Sequence, residues 1–197
     1  MVPYSLPTSP VQTLTFKSSL EFRSWLEKNH ADSDGVWLRI CKKDSGEKSV
    51  TYAEALEQLL CYGWIDGQKQ PHDERAWLQK ITPRRAKSGW SKKNTEHVER
   101  LIKTGLMSQA GLKAVEAAKA DGRWKAAYES PRNASPPDDF LRALNRDKKA
   151  KAFYGTLNKA NVYAIVYRLQ TAKQPKTRER RMKMILEMLG CGEKFHP

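Results

Sequence analysis

The chain has 197 residues and a mass of 22.6 kDa, which allows one domain or two small ones. Hydrophobic residues make up 39% and charged residues 29%, and the 6 Trp, 7 Tyr and 5 Phe supply enough apolar surface for a core, which excludes a disordered chain. No run of about 18 apolar residues exists to span a membrane, and the segment "MVPYSLPTSPVQTLTF" lacks the regions of a signal peptide. We therefore expect a cytoplasmic protein with no membrane span.

The charge is strongly positive and unevenly distributed. Lys and Arg number 36 against 22 Asp and Glu, for a formal net charge of +14. Residues 1–66 hold 7 basic and 9 acidic side chains, residues 67–104 hold 10 and 4, and residues 105–197 hold 19 and 9. Such asymmetry favours a polyanionic partner, which is a nucleic acid, a phosphorylated ligand or an anionic membrane surface. A basic protein with no polyanionic partner is the alternative.

The Cys and His residues predict no metal site and no disulfide framework. The three cysteines are far apart, no two histidines stand at ligand spacing, and no phosphate-binding fingerprint of the type GxxxxGK[ST] occurs. We expect a reducing compartment and no cofactor.

The first part of the chain predicts a loose tail over 1–15 and an α+β unit over 16–130. A helix over "SSLEFRSWLEKNH" begins at Ser18 or Ser19, and a strand over "GVWLRICKK" alternates apolar and polar residues. The best-defined helix is "TYAEALEQLLCYG", in which Thr51 and Glu54 form a capping box and Gly63 suits the end. Two further strands, "WIDGQ" and "AWLQKIT", complete a small antiparallel sheet, so the fold class is α+β.

The second part of the chain is helical. "NTEHVERLIKTG" and "SQAGLKAVEAAKADG" each end at a glycine, and a linker with three prolines follows. Residues 131–197 then predict a helical unit, with helices over "PPDDFLRALNRD", "DKKAKAFYGTL", "NKANVYAIVYRLQTAK" and "KTRERRMKMILEMLG". Thr177 is the predicted cap of the last helix.

Asp66 is the first candidate for chemistry. In "GWIDGQ" an alternating strand puts Trp64 and Asp66 on one face, where the acid can act as a general base or hold an arginine. The alternative is a structural one, because Asp-Gly pairs favour tight hairpin turns.

The basic loop "ITPRRAKSGWSKKN" is the second candidate. Arg84 and Arg85 can recognise phosphate or carboxylate with two hydrogen bonds each, and Ser88 can add a donor. Ser91 is placed to cap the next helix, whose amino-terminal end favours anions. Trp90 can stack on a base or a guanidinium, or anchor the loop in the core.

The last helix carries several cations in its first turns, among them Arg178 and Arg181. Cations at a helix amino terminus are mildly unfavourable, so a bound anion or a carboxylate from the first unit would relieve the repulsion. A solvated face is the alternative.

The segments "SDGVWLRICKK", "TYAEALEQLLCYGWIDGQ", "WLQKITPRRAKSGWSKKN", "YAIVYRLQTAKQPKTRERRMKMILEML" and "GEKFHP" together resemble the YdeI/OmpD-associated family. The resemblance covers the chain from about residue 16 to the end, and from Phe153 onward it resembles the family's helical OmpD-associated domain. It implies a small bacterial cytoplasmic protein linked to stress or bacteriocin tolerance, with no catalytic residue set to carry over.

Our leading hypothesis is a protein of this stress- and bacteriocin-tolerance type that binds an anionic ligand between Asp66 and the basic loop. Nucleic-acid binding by the basic surface and an enzyme acting on a phosphorylated or carboxylated metabolite are the alternatives, and the oligomeric state stays open. The candidate ligand-binding residues are Trp64, Asp66, Arg84, Arg85, Ser88, Trp90, Ser91, Asn94, Arg178 and Arg181.

Overall fold

The computed structural model describes residues 11–130 and 133–197 and divides into two units. The first unit comprises Met1–Ser88 and Asn94–Trp124, and the second comprises Gly89–Lys93 and Lys125–Pro197. Residues 1–10 of the predicted tail lie outside the described residues.

The sheet of the first unit has four strands in the order β1-β2-β4-β3. Strands β2 and β3 pair antiparallel with β4, whereas β1 pairs parallel with β2. The predicted α+β class is confirmed, but the prediction of a purely antiparallel sheet is wrong because two residues at the end of the predicted tail add a parallel edge strand. A strand of two residues is too short to show a hydrophobic period. The strands are β1 (Thr13–Leu14), β2 (Val36–Cys41), β3 (Trp64–Pro71) and β4 (Ala76–Pro83).

Side-chain caps define where α1, α2 and α4 of the first unit begin. Ser18 caps α1 by accepting a hydrogen bond from the amide of Glu21, and Thr51 and Glu54 form the predicted capping box of α2. Ser108 caps α4 through the amide of Gly111. The helices are α1 (Ser19–Asn29), α2 (Tyr52–Cys61), α3 (Lys92–Lys103) and α4 (Gln109–Ala120).

The core of the first unit lies where α1 and α2 meet the sheet. Strand β2 alternates as predicted, with Val36, Leu38 and Ile40 buried and the residues between them half-buried. Phe22 and Leu26 of α1 are fully buried, and α2 packs against both α1 and β3. The alternation of β2 therefore separates a face that points to the core from an outer face.

A β-bulge in β3 changes the face to which its side chains point. Asp66 lies opposite Ile81, but Lys69 lies opposite Gln79, so three steps along β3 match two steps along β4. Because directly opposed residues of an antiparallel pair share a face, the extra residue puts Asp66 and Lys69 on the same face.

The side chain of Gln79 holds this bulge together. It is only 4% exposed, and its Nε2 donates to the carbonyl oxygens of Gly67 at 2.8 Å and Gln68 at 3.3 Å. The alternative of a hairpin turn at Asp66–Gly67 is therefore wrong. The turn lies between β3 and β4, where Asp73 Oδ1 accepts hydrogen bonds from the amides of Arg75 and Ala76 at 2.7 and 2.6 Å.

The second unit is helical, as predicted, and has its own core. Its helices are α5 (Asp138–Leu144), α6 (Lys148–Tyr154), α7 (Lys159–Gln170) and α8 (Pro175–Gly190). The predicted cap at Thr177 is wrong, because Pro175 occupies the first turn and α8 begins after Gln174. The core residues are Phe140, Leu144, Ala150, Ile165, Leu169, Ile185 and Leu189.

An arginine of α8 holds the amino-terminal end of α5. The two terminal nitrogens of Arg178 donate to the two carboxylate oxygens of Asp139, with the Nη2–Oδ1 bond at 2.9 Å. This charged hydrogen bond lowers the pKa of the Asp139 carboxyl. The carboxylate that offsets the positive charge at the start of α8 is therefore Asp139, which belongs to the second unit and not to the first.

Replacing Gln79 with leucine is expected to lower the free energy of unfolding by about 1–3 kcal/mol, since the carbonyls of Gly67 and Gln68 lose their buried donor. Urea unfolding measures the change. Gln68→Ala is the matched control, because that side chain is exposed in the same bulge. Equal stability of the two variants would contradict the role assigned to Gln79.

Replacing Asp139 with asparagine is expected to cost up to about 1 kcal/mol at neutral pH, because the pair is partly exposed. The lowered pKa of Asp139 makes this contribution present above its ordinary value of 3.8 and lost as the pH falls through the folded value. Asp138→Asn is the control, since it removes the same charge from the same helix turn. A difference between variant and wild type that kept its full neutral-pH size down to about pH 2 would contradict the ion pair.

Candidate functional site

Asp66 lies beside a tyrosine at the start of α2. The Tyr52 hydroxyl donates to Asp66 Oδ2 at 2.8 Å, and the carboxylate is half-buried. The pKa of the Tyr52 phenol is raised. The largest cause is burial, followed by the hydrogen bond to Asp66 and the negative charge of Asp66. Tyr52 therefore keeps its proton at neutral pH and acts as a hydrogen-bond donor rather than as a nucleophile.

Trp77 lies next to this pair on the same face of the sheet. Its ring is 6.0 Å from the Tyr52 ring at an angle of 47°, and the Lys69 ammonium lies 4.2 Å from its ring centroid. The bulge in β3 is what brings Asp66 and Lys69 to this face together.

Two grooves meet at Trp77, and we call them together the Trp77 cleft. The helix-side groove, of about 770 Å³, lies against the amino-terminal ends of α1 and α2. The hairpin-side groove, of about 680 Å³, lies against the ends of β3 and β4 that flank the turn. Both volumes fall within the range of roughly 300–1,000 Å³ that small-molecule sites occupy. The residues common to both grooves are Lys42, Lys43 and Trp77.

The carboxylates of the Trp77 cleft are committed to other groups of the protein. Glu47 pairs with Arg39 at 2.8 Å and with Arg75 at 3.4 Å, and the hydrogen bond from Arg39 lowers the pKa of the Glu47 carboxyl. Glu54 accepts from the Thr51 amide and hydroxyl, which lower its pKa in that order. The pKa of the Asp73 carboxyl is also lowered. Burial acts to raise this pKa, but the backbone hydrogen bonds that Asp73 accepts act to lower it.

The lysines of the cleft, unlike Glu47, are not paired with groups of opposite charge in the part of the chain that the structure describes. Within residues 11–130 and 133–197, no carboxylate forms an ion pair with any of the cleft lysines, and Lys42 Nζ donates only to the carbonyl oxygen of Asp73, at 3.2 Å. The cleft therefore presents a positive charge that its own acids do not neutralise. These lysines are Lys17, Lys42, Lys43, Lys48 and Lys69.

Two of the predicted ligand-binding residues are core residues. Trp64 is 1% exposed, its indole Nε1 donates to the carbonyl oxygen of His30, and its ring packs edge-on against Trp25. Trp90 is also 1% exposed. Neither ring offers a face on which a ligand can stack, so their expected role beside a ligand is replaced by core packing. For Trp90, the anchoring alternative fits the burial.

The arginine pair lies at the end of β4. The Arg84 amide donates to the carbonyl oxygen of Gly63 at 3.0 Å, and its side chain is half-buried. Arg85 is exposed, and a closed turn joins it to Ser88, whose hydroxyl accepts from the Arg85 amide at 3.1 Å. Ser88 thus shapes the loop, while the Arg85 side chain is accessible to a ligand.

The remaining predicted residues lie on other elements. Ser91 forms a parallel bridge with Tyr128 in the second unit, and Asn94 is half-buried in the first turn of α3. Arg178 is engaged by Asp139, and Arg181 donates to the carbonyl oxygen of Arg168 at 2.7 Å. Arg178 and Arg181 belong to the second unit, whereas Asp66, Arg84 and Arg85 belong to the first.

The sequence analysis missed the residues that line the Trp77 cleft; Asp66 lies beside the cleft, through its hydrogen bond with Tyr52, but lines neither groove. Tyr52 was visible only as the first residue of a helix, and Lys42 and Lys43 only as the end of a strand. The sequence did contain one signal for this cleft: Lys42 and Lys43 follow a buried strand, and Trp77 lies on the strand that pairs with it. The pairing register that joins them comes only from the fold.

Two features are absent from residues 11–130 and 133–197. These residues contain no group of three His, Cys, Asp or Glu side chains arranged to hold a metal ion. They also contain no helix of the length and hydropathy that a membrane crossing requires.

The fold and the cleft define a two-unit α+β protein with a basic aromatic cleft, and family models match both of its parts. The model described as domain of unknown function DUF8412 matches residues 14–114, which is 101 of the 197 residues. The chain belongs to this family. The model described as "Bacteriocin-protection, YdeI or OmpD-Associated" matches residues 133–192.

These matches confirm the predicted YdeI/OmpD-associated resemblance for the C-terminal part and change its extent. The match begins at residue 133, before Phe153 and close to the start of the OmpD-associated-like helical unit predicted over 131–197. The N-terminal part that we also attributed to this family matches a different model. No curated protein and no solved structure matches the chain significantly.

Replacing Tyr52 with phenylalanine is expected to cost about 0.5–1.5 kcal/mol near neutral pH through the lost hydrogen bond to Asp66. The raised pKa means that the folded wild type holds the phenolic proton more tightly than the unfolded chain, whose ordinary value is 10.0. Wild-type stability therefore falls as the pH rises above that value, and Tyr52→Phe lacks this term.

Urea unfolding of both proteins at neutral pH and at about pH 11 separates the two effects. The stability difference between wild type and Tyr52→Phe should shrink at the higher pH, and the other tyrosines cancel because both proteins carry them. A difference that stays constant or grows would show that folding does not raise the pKa of the Tyr52 phenol.

Proposed function

We propose that this protein is a cytoplasmic binding protein of the stress- and bacteriocin-tolerance type that holds an anionic ligand in the Trp77 cleft. The tolerance part rests on the description of the family that matches residues 133–192. The binding part rests on one observation: the acids of the cleft are all engaged within the protein, whereas its lysines have no carboxylate partner among the described residues.

The electrostatics of the cleft favour an anion over a neutral ligand. A single ammonium at 4 Å from an anionic oxygen contributes about 1 kcal/mol in water and about 4 kcal/mol at the effective dielectric constant of a protein surface. Lys42 and Lys43 lie where the two grooves meet, so a ligand in either groove experiences their charge. The field of several lysines also raises the rate at which anions arrive.

The amino-terminal ends of two helices add to this field. Ser18 and Ser19 of α1 and Thr51 and Tyr52 of α2 line the helix-side groove. The caps engage the amides of Glu21 and Glu54, which are the third residues of their helices. The carboxylates of these two residues offset part of each helix dipole, and the remainder adds to the positive field of the groove. Lys17 lies just before α1, where an anion would relieve its unfavourable interaction with the helix dipole.

The basic loop is the competing location for the anion. Arg85 is exposed and Arg84 is half-buried next to it, so the pair predicted from the sequence stays a candidate contact. The two locations make different predictions for substitutions, because the lysines of the cleft and the arginines of the loop can be removed separately.

Isothermal titration with pyrophosphate tests the proposal. The triple substitution Lys17→Gln, Lys43→Gln and Lys48→Gln is expected to weaken binding by tenfold or more, which is about 1.4 kcal/mol. The matched control replaces Lys28, Lys103 and Lys113 with glutamine, since these lysines are exposed in the same unit and the change in net charge is the same. The control is expected to change the affinity by less than about threefold.

The substitution of Arg84 and Arg85 with alanine decides between the two locations. If the cleft is the site, this double variant binds pyrophosphate nearly as well as the wild type. Binding that disappears in the arginine variant and survives in the lysine variant would move the site to the loop. Equal loss in the lysine variant and its control would mean that only the net charge attracts the anion.

A further inference from the structure

The ring of Trp77 is built into the cleft as a partly exposed aromatic wall. It is half-buried, lines both grooves and is flanked by Tyr52 on the helix side. Trp64 and Trp90, by contrast, are fully covered. A binding site that needed only to hold an inorganic anion would gain nothing from an aromatic wall, since the ring carries no hydrogen-bond donor for phosphate on its face.

The face of this ring is already in use as a binding surface. The Lys69 ammonium lies 4.2 Å from the ring centroid, where the electron-rich face attracts a cation. Lys69 is exposed and has no carboxylate partner among the described residues, so its flexible chain can leave the ring. A planar heterocycle can take its place, because base stacking on an aromatic side chain is stronger than a cation–π contact at an exposed site.

The charges lie in the same cleft as the ring. Lys42 and Lys43 line the same grooves as Trp77, and the displaced Lys69 ammonium stays within reach of the cleft by its own chain. One ligand can therefore use the ring and the cations at the same time. The required ligand has an aromatic ring and, next to it, a phosphate.

We infer that the Trp77 cleft binds a nucleoside phosphate, with the base stacked on Trp77 in place of the Lys69 ammonium and the phosphate among Lys42, Lys43 and Lys69. The inference rests on the proposed anion-binding function and adds the class of ligand. The same chemistry occurs in a free nucleotide and in one residue of a single-stranded nucleic acid, and the two sources differ in how their binding depends on salt.

The experiment compares three probes on the intact wild-type protein. AMP carries a base and a phosphate, ribose 5-phosphate carries the phosphate alone, and a short deoxyadenosine oligonucleotide carries several of both. Titration calorimetry is expected to give an affinity for AMP roughly tenfold above that for ribose 5-phosphate. Trp77→Leu should abolish this difference between the two probes, and Trp77→Phe should restore part of it because phenylalanine keeps an aromatic face.

The chain offers a matched control in Trp37. It lies on β2 of the same sheet, is also half-buried, and has the Lys80 ammonium 5.4 Å from its ring centroid. Because its strand partner is Lys80, it points to the face opposite Trp77, so Trp37→Leu should leave the preference for AMP unchanged. Should Trp77→Leu fail to fold, the indole resonance of Trp77 in the wild type, assigned with Trp77→Phe, must shift on addition of AMP while that of Trp37 does not.

Each outcome bears on a separate claim. Equal affinities for AMP and ribose 5-phosphate would overturn the nucleoside class and leave the anion site standing, whereas no binding of either probe would overturn both. Tighter binding of the oligonucleotide, falling on a log–log plot against salt with a slope of about 0.7 for each phosphate contacted, would identify single-stranded nucleic acid as the source. AMP binding with little dependence on chain length would identify a free nucleotide.

Discussion

The extra residue in strand β3 is the constraint on which the candidate site depends. Asp66 and Lys69 are three residues apart and would point to opposite faces of a regular strand, but their partners on β4 are two apart and share one face. The bulge therefore brings the carboxylate to Tyr52 and the ammonium to Trp77. Gln79 stabilises it by donating hydrogen bonds to the carbonyl oxygens of Gly67 and Gln68 within the bulge.

The charge of the cleft follows from which groups are paired rather than from how many are present. Arg39 and Arg75 neutralise Glu47, whereas Glu54 stays ionised and accepts hydrogen bonds from neutral groups of Thr51, so the five cleft lysines exceed the negative charge that the acids of the helix-side groove leave. The first unit up to residue 66 is slightly acidic by composition, yet its groove is locally positive. Net charge along the chain therefore does not indicate this cleft, and it directed attention to the basic loop.

Local signals predicted much of the fold. The Thr51–Glu54 capping box, the alternation of β2 and the start of α1 after Ser18 each depend on residues close in sequence, and the structure confirms them. The bulge was out of reach, because Asp66–Gly67 favours a turn locally and the long-range bond from Gln79 overrides that preference. The burial of Trp64, the partner of Arg178 and the contact between Tyr52 and Asp66 are tertiary facts of the same kind.

The central claim is that an anion binds where Trp77, the lysines and the two helix ends meet. Titrating isotopically labelled protein with pyrophosphate and following the backbone amides by NMR tests it without any substitution. We expect chemical-shift changes concentrated at residues 17–20, 42–54 and 69–77. The changes at the amides of Ser19 and Tyr52 should be among the largest, because these residues begin α1 and α2. Shifts concentrated at residues 84–88, or spread evenly over the basic surface, would contradict it.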